Sequence, residues 1–161
     1  MEVAGFRRKD DRNPHFETAR SWKAARALVT FEPRVPQHTA GLKLHALRIH
    51  VRDQKQRELA VGDRTLEAHY GGFSLSQARK GEAEAQRWAL EMSYGQSGRE
   101  VEIAGHSGRI CELGPEVPPD DIDGRSPAVA AWHDGEMFYF LSSHEMPAEK
   151  LVKIAGSLYP L

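Results

Sequence analysis

Pro127-Ala-Val-Ala-Ala-Trp132, His133-Asp134-Gly135-Glu136 and Met137-Phe-Tyr-Phe-Leu-Ser142 follow one another as a β-type run, a turn and a second β-type run. Asp-Gly between apolar runs is a strong hairpin signal, because glycine supplies the backbone torsion that closes the turn. A helical pattern follows from about Pro147 to Leu158, with Leu151, Val152, Ile154, Ala155 and Leu158 on one broad apolar face. Pro147 suits its first turn, Glu145 and Glu149 complement the positive end of its dipole, and Pro160 stops it. The chain is expected to end as a hairpin closed by a helix, with Trp132, Phe138 and Phe140 packing on Leu151, Ile154 and Leu158.

Upstream, Val101–Ala104 and Arg109–Leu113 flank Gly105-His-Ser-Gly108, which predicts another hairpin with that tetrapeptide as its turn. Leu42, Leu44, Leu47, Ile49 and Val51 alternate with one change of phase, and a β-bulge near His45-Ala46 would return all five to one face. Arg48, His50 and Arg52 would then share the other face. Short runs at Glu58–Val61, Thr65–Tyr70 and Phe73–Gln77, punctuated by Gly62-Asp63 and Gly71-Gly72, predict an antiparallel meander. Ala78, Ala85, Trp88, Ala89 and Met92 form a stripe that predicts a helix over 78–91.

Asn13-Pro14, followed by Phe16, Ala19, Trp22 and Ala25 at near-helical spacing, predicts a helix over 14–28. Two prolines between Val29 and Pro36 exclude a central strand and suggest an extended connector. Gly114–Ser126 reads as a loop, and residues 1–12 as a flexible tail. The expectation is a single α+β domain over 13–161, a curved antiparallel β-sheet packed by an N-terminal, a middle and a C-terminal helix.

A chain of 161 residues suits one core. With 22 basic and 23 acidic residues, no long-range field draws the molecule to nucleic acid or to an anionic membrane, so any such binding needs a local patch. The apolar runs fall far short of the roughly 20 residues that span a bilayer, and no membrane insertion is expected. Charges at the N-terminus lack an apolar segment behind them, and the single Cys111 cannot form an internal disulfide. Both favour a cytoplasmic protein; an exported domain with its targeting segment removed is the alternative.

The chemistry-bearing residues form few sets. Eight histidines include no His-Glu-x-x-His, so neither a metal site nor a cofactor is expected. The best candidate metal pair is Glu67 with His69, two apart and hence on one strand face, with a third ligand needed from elsewhere. Asp121-Ile-Asp123-Gly124 misses the calcium-loop register at Pro119 and Ala130. Cys111 reads as a small core residue, no Gly-x-Ser-x-Gly elbow is present, and Tyr70-Gly-Gly-Phe73 lacks the spaced glycines of a phosphate cradle. No catalytic residue is assigned, and an enzyme is not the favoured reading.

Arg48, His50 and Arg52, with Lys43 and Lys55 close in sequence, could bind an anion or an RNA backbone. Asp53 and Glu58 lie among them without interleaved aromatics, so nucleic acid is not the expected partner. Trp132 and His133, beside the hairpin turn, complete the candidate ligand or partner surface.

Val101-Glu-Ile-Ala-Gly-His-Ser-Gly-Arg109, Ala128-Val-Ala-Ala-Trp132-His-Asp-Gly135, Met137-Phe-Tyr-Phe-Leu141 and Leu151-Val-Lys-Ile-Ala-Gly-Ser-Leu158 occur in an order that resembles a small bacterial domain of unknown function. That domain is often found on the outer side of anti-sigma-factor-like membrane proteins, and it resembles part of the periplasmic regulators of the sigma-E pathway. The ending is also similar to the PsbP/Mog1-like α+β fold. The resemblance covers residues 95–159 well and 30–77 weakly, and the expected helix near 80–91 has no counterpart in it. It implies a non-catalytic sensing or interaction module and supplies no catalytic residues. The leading expectation is therefore a non-enzymatic binding or regulatory module, using a sheet face or a cleft under the middle helix. Its partner would be an unidentified protein or small ligand, with a homodimer as a further option. A carrier of a small apolar ligand between sheet and helices is the alternative; a metal-dependent enzyme built on Glu67, His69 and a remote histidine is the third.

Overall fold

The computed structural model describes residues 14–92, 98–120 and 124–161. The expected tail over 1–12, and Asp121 to Asp123 of the calcium-like stretch, lie outside them. The elements are β1 (Phe16–Ala19), α1 (Trp22–Arg26), β2 (Arg34–Pro36), β3 (Leu44–His50), a 3-10 turn (Val61–Asp63), β4 (Thr65–Tyr70), β5 (Ser74–Arg79), α2 (Glu82–Met92), β6 (Arg99–Ile103), β7 (His106–Cys111), β8 (Ala128–His133), β9 (Met137–Ser143), α3 (Ala148–Ala155) and β10 (Leu158–Pro160). Eight strands form one antiparallel sheet in the order β1-β3-β4-β5-β9-β8-β7-β6, and β2 pairs with β10 as a separate ribbon. An antiparallel sheet with three helices is an α+β architecture, as the patterning implies.

Alternation along the strands divides the apolar residues between two faces. On the inner face Leu47, Ile49, Leu66, Leu75, Trp132, Tyr139 and Leu141 pack with Ala25 of α1 and with Leu151 and Ile154 of α3. On the outer face Cys111, Val129, Ala131, Phe138 and Phe140 meet Ala85, Trp88 and Ala89 of α2. The aromatics of the closing hairpin are therefore split. Trp132 faces the closing helix with Tyr139, its cross-strand partner, whereas Phe138 and Phe140 point the other way and meet the middle helix.

Several elements differ from their sequence-based expectation. The helix expected over 14–28 is confined to Trp22–Arg26, capped by the Ser21 hydroxyl, which accepts from the Ala24 N–H at 3.1 Å. Phe16–Ala19 instead pairs with Leu47–His50, a tertiary ladder that outweighs a weak helical spacing. The helix expected over 78–91 begins at Glu82, because Gln77 and Ala78 still pair with Tyr139 and Phe138. Glu58–Val61 is not a strand; Glu58 makes one isolated bridge to Arg52 and Val61 starts the 3-10 turn. The extended connector holds β2, in which Pro36 is tolerated because, among the described residues, β10 is the only strand that pairs with it.

The bulge expected near His45-Ala46 lies between Leu44 and Ala46. Leu47 and Ile49 are buried and Leu42 and Val51 pack against the same cluster, while Leu44 stays exposed. The β6–β7 turn is Ala104-Gly105, both at positive φ, so His106, Ser107 and Gly108 belong to a strand and not to the turn. The closing helix ends at Ala155, which releases Leu158 into β10.

Candidate functional site

Beyond the strands under α2, the outer face continues across β5, β4, β3 and β1. Cross-strand register sets Arg48 opposite Glu67, Glu67 opposite Ser76 and His69 opposite Ser74, all on this face. The structure thus joins two sets that are separate in sequence: Arg48 and His50 of β3, and Glu67 and His69 of β4. His69 Nε2 and Glu67 Oε1 are 3.0 Å apart. Phe16 of β1 stacks on His50 at 4.9 Å between ring centroids, and the Arg48 guanidinium lies 5.8 Å from the Phe16 ring. Partial burial lowers the pKa of His50; Glu67 opposes that shift, and His15 and Lys80 add to it. Among the described residues no three His, Cys, Asp or Glu side chains are grouped closely enough to hold a metal ion.

Arg52 leaves this face. It lies past the end of β3, where Nη1 donates to the Gln56 carbonyl at 3.0 Å. Trp132 is buried on the inner face, stacked on Tyr139 at 5.1 Å. His133 is a tie between elements: its Nδ1 accepts the Gly135 N–H at 3.0 Å, which leaves Nε2 to carry the proton and donate to the Lys80 carbonyl at 2.6 Å. That bond anchors the closing hairpin to the link between β5 and α2. The Lys80 ammonium lies 3.8 Å from the centroid of the Trp88 ring and 3.7 Å from Glu84, with the side chain only 7% exposed. This arrangement fixes α2 against the sheet through a cation–π contact.

Along the other flank of α2 runs a groove of about 440 Å³. Its floor is small and apolar: Ala85 and Ala89 from α2, Val129 and Ala131 from β8, with Phe138 and Cys111 beside them. Glu100, Arg109 and His133 supply polar walls. The groove exists because the facing residues are small. Ala85 and Ala89, one helical turn apart, oppose Ala131 without filling the space above it. Gly108 is needed for strand packing beneath: a Cβ there would lie 2.7 Å from both the Ala131 carbonyl oxygen and Ile103 Cδ1. The alanine spacing is visible in the sequence, but read as one stripe of a packed helix it gives no hint that part of that stripe lines open space. Glu100 and Arg109 do not stand out as site residues in the sequence, since β6 and β7 are brought beside α2 only by strand pairing across the sheet.

No family model matches the chain, and no curated protein or solved structure matches it.

Proposed function

We propose that the protein is a non-enzymatic, sensor-like binding module whose ligand lies in the groove along α2. The observation behind this reading is the groove itself: about 440 Å³, an apolar floor and a few charged groups on its walls. Small-molecule sites have this composition and a size of roughly 300–1,000 Å³. A compact ligand with an apolar body and a polar end fits that lining. The polar band of Arg48, His50, Glu67 and His69 on the adjoining half of the face points the same way, as a surface on which a partner protein could read the state of α2. The single cysteine supports a cytoplasmic location.

A carrier is the second reading, favoured by the apolar floor. The groove opens along its length, which suits reversible exchange with solvent better than prolonged sequestration. Anilinonaphthalene sulfonate, an apolar ring system with an anionic end, is a suitable probe. The expected result is saturable fluorescence enhancement with the full chain and its loss in Ala89→Trp, which fills the groove from the helix side while the thermal transition is retained. Undiminished dye binding in a folded Ala89→Trp protein, or no binding to the parent, overturns the assignment.

A further inference from the structure

On the inner face, away from the groove, a second cavity of about 250 Å³ opens where β2, the β8–β9 turn and the end of α3 meet. Arg34, His106, Asp134 and Tyr139 line it, with Trp132 at its side and Gly156 at its rim. Its distinguishing property is a pair of opposite charges that share one cavity without closing on each other: among the described residues neither Arg34 nor Asp134 takes part in an ion pair within 4.0 Å. The Tyr139 hydroxyl, on a residue only 2% exposed, interacts with both side chains.

Each charge is held in place by bonds that leave it available. The Arg34 backbone is clamped at N–H and C=O by Gln77, both at 2.8 Å, so its guanidinium is not needed to hold β2. Asp134 accepts the Glu136 and Met137 N–H groups at 3.0 and 2.7 Å, both on Oδ1, so neither turn amide uses Oδ2, and the Tyr139 hydroxyl is its neighbour in the cavity. Desolvation works against ionisation of Asp134, but those amide bonds, with His106 and Arg34, hold its pKa below the ordinary carboxylate value. Ala155 and Gly156, at the carbonyl end of α3, border the same space, and the partial negative charge of a helix C-terminus reinforces Asp134 in favouring a cation. Arg34 and the neighbouring His106 favour an anion.

We infer that this cavity binds a small zwitterion of the free α-amino-acid class, its ammonium at Asp134 and its carboxylate at Arg34. The volume corresponds to about eight water molecules at roughly 30 Å³ each, the size of an amino acid and too small for a nucleotide. The stacked Trp132 and Tyr139 rings and Leu158 offer apolar contact to its side chain. A singly charged ligand would leave either Arg34 or Asp134 desolvated and unpaired, so both charges on the ligand are required.

The test is titration of the isotope-labelled full chain, followed through the Trp132 indole N–H resonance, with glycine, leucine, phenylalanine, lysine and glutamate. Leucine is then compared with 3-methylbutylamine and 4-methylpentanoate, which keep its side chain and one charge each. At least one amino acid is expected to give a saturable shift, with each single-charge analogue of leucine weaker by about tenfold or more. Arg34→Met and Asp134→Asn should each abolish the shift with an unchanged thermal transition, since Met keeps the Gln77 clamp and Asn keeps an oxygen for the turn amides. Tyr139→Phe, which preserves the ring stack, should weaken binding. No shift with any of the five, equal binding of the single-charge analogues, or full binding by a folded Arg34→Met protein overturns the proposal. Arg34 does not line the groove along α2, so these results stand apart from those of the dye experiment.

Discussion

Gln77 of β5 and Arg34 of β2 exchange two hydrogen bonds: the side-chain Oε1 accepts the Arg34 N–H and Nε2 donates to the Arg34 carbonyl, each at 2.8 Å. Gln77 is fully buried. A side-chain amide here replaces a strand, since it offers β2 the same donor and acceptor that a neighbouring backbone would. Gln77→Met keeps the volume but leaves both Arg34 backbone groups unpaired. The expected loss is about 2–4 kcal/mol in urea unfolding, with faster amide exchange at Arg34 than elsewhere in the β2–β10 ribbon.

Gly108 is a packing requirement of β7. A Cβ would lie 2.7 Å from the Ala131 carbonyl oxygen and from Ile103 Cδ1, and 3.0 Å from Trp132 Cβ. Gly108→Ala should cost about 1–3 kcal/mol or more, because a backbone oxygen of the paired strand cannot move aside as a flexible side chain can. Gly62 provides the contrast, since a Cβ there would meet nothing within 4 Å: Gly62→Ala should leave the urea midpoint close to that of the parent.

His50 should remain neutral to lower pH than a free histidine, because burial disfavours the imidazolium. Its folded pKa is lowered, so its contribution to stability is full above the unfolded value near 6.5 and is lost as pH falls below that value towards the folded pKa. Glu67 works in the opposite sense. Glu67→Gln should therefore depress the His50 pKa further, read from the imidazole carbon-bound proton in an NMR titration.

Burial pushes the Tyr70 hydroxyl up to about 12. The unfolded chain ionises this tyrosine near 10 and the folded one does not, so stability falls as pH rises from about 10 towards 12. Absorbance at the phenolate band should show Tyr70 and Tyr139, whose pKa is also raised chiefly by burial, ionising above the ordinary tyrosine value near 10. Tyr70→Phe, which retains the 4.5 Å stack on Phe73, should remove the Tyr70 step.

The strands most legible in the sequence are those whose alternation is bounded by turn glycines. Gly71-Gly72 and Asp134-Gly135 mark hairpins that the structure contains, and the phase change between Leu44 and Leu47 marks the observed bulge. Phe16–Ala19 misleads because four residues can match a helical spacing by chance, and only the ladder to Leu47–His50, some thirty positions away, makes them a strand. The candidate surface is legible in pieces. Arg48 with His50 and Glu67 with His69 each follow from a period of two, but their meeting on one face depends on the register between β3 and β4.

Local chemistry by itself determined the hairpins closed by Gly71-Gly72 and Asp134-Gly135 and the amphipathic closing helix, because torsional preference and apolar periodicity act over a few residues. Tertiary structure alone decided which side of the sheet each helix covers, and with it the separation of Trp132 from Phe138 and Phe140, the groove beside Ala85 and Ala89, and the sharing of one cavity by Arg34, Asp134 and Tyr139. Those outcomes depend on contacts between segments far apart in the chain, and alternation within a strand specifies two opposite faces without specifying what will lie against either.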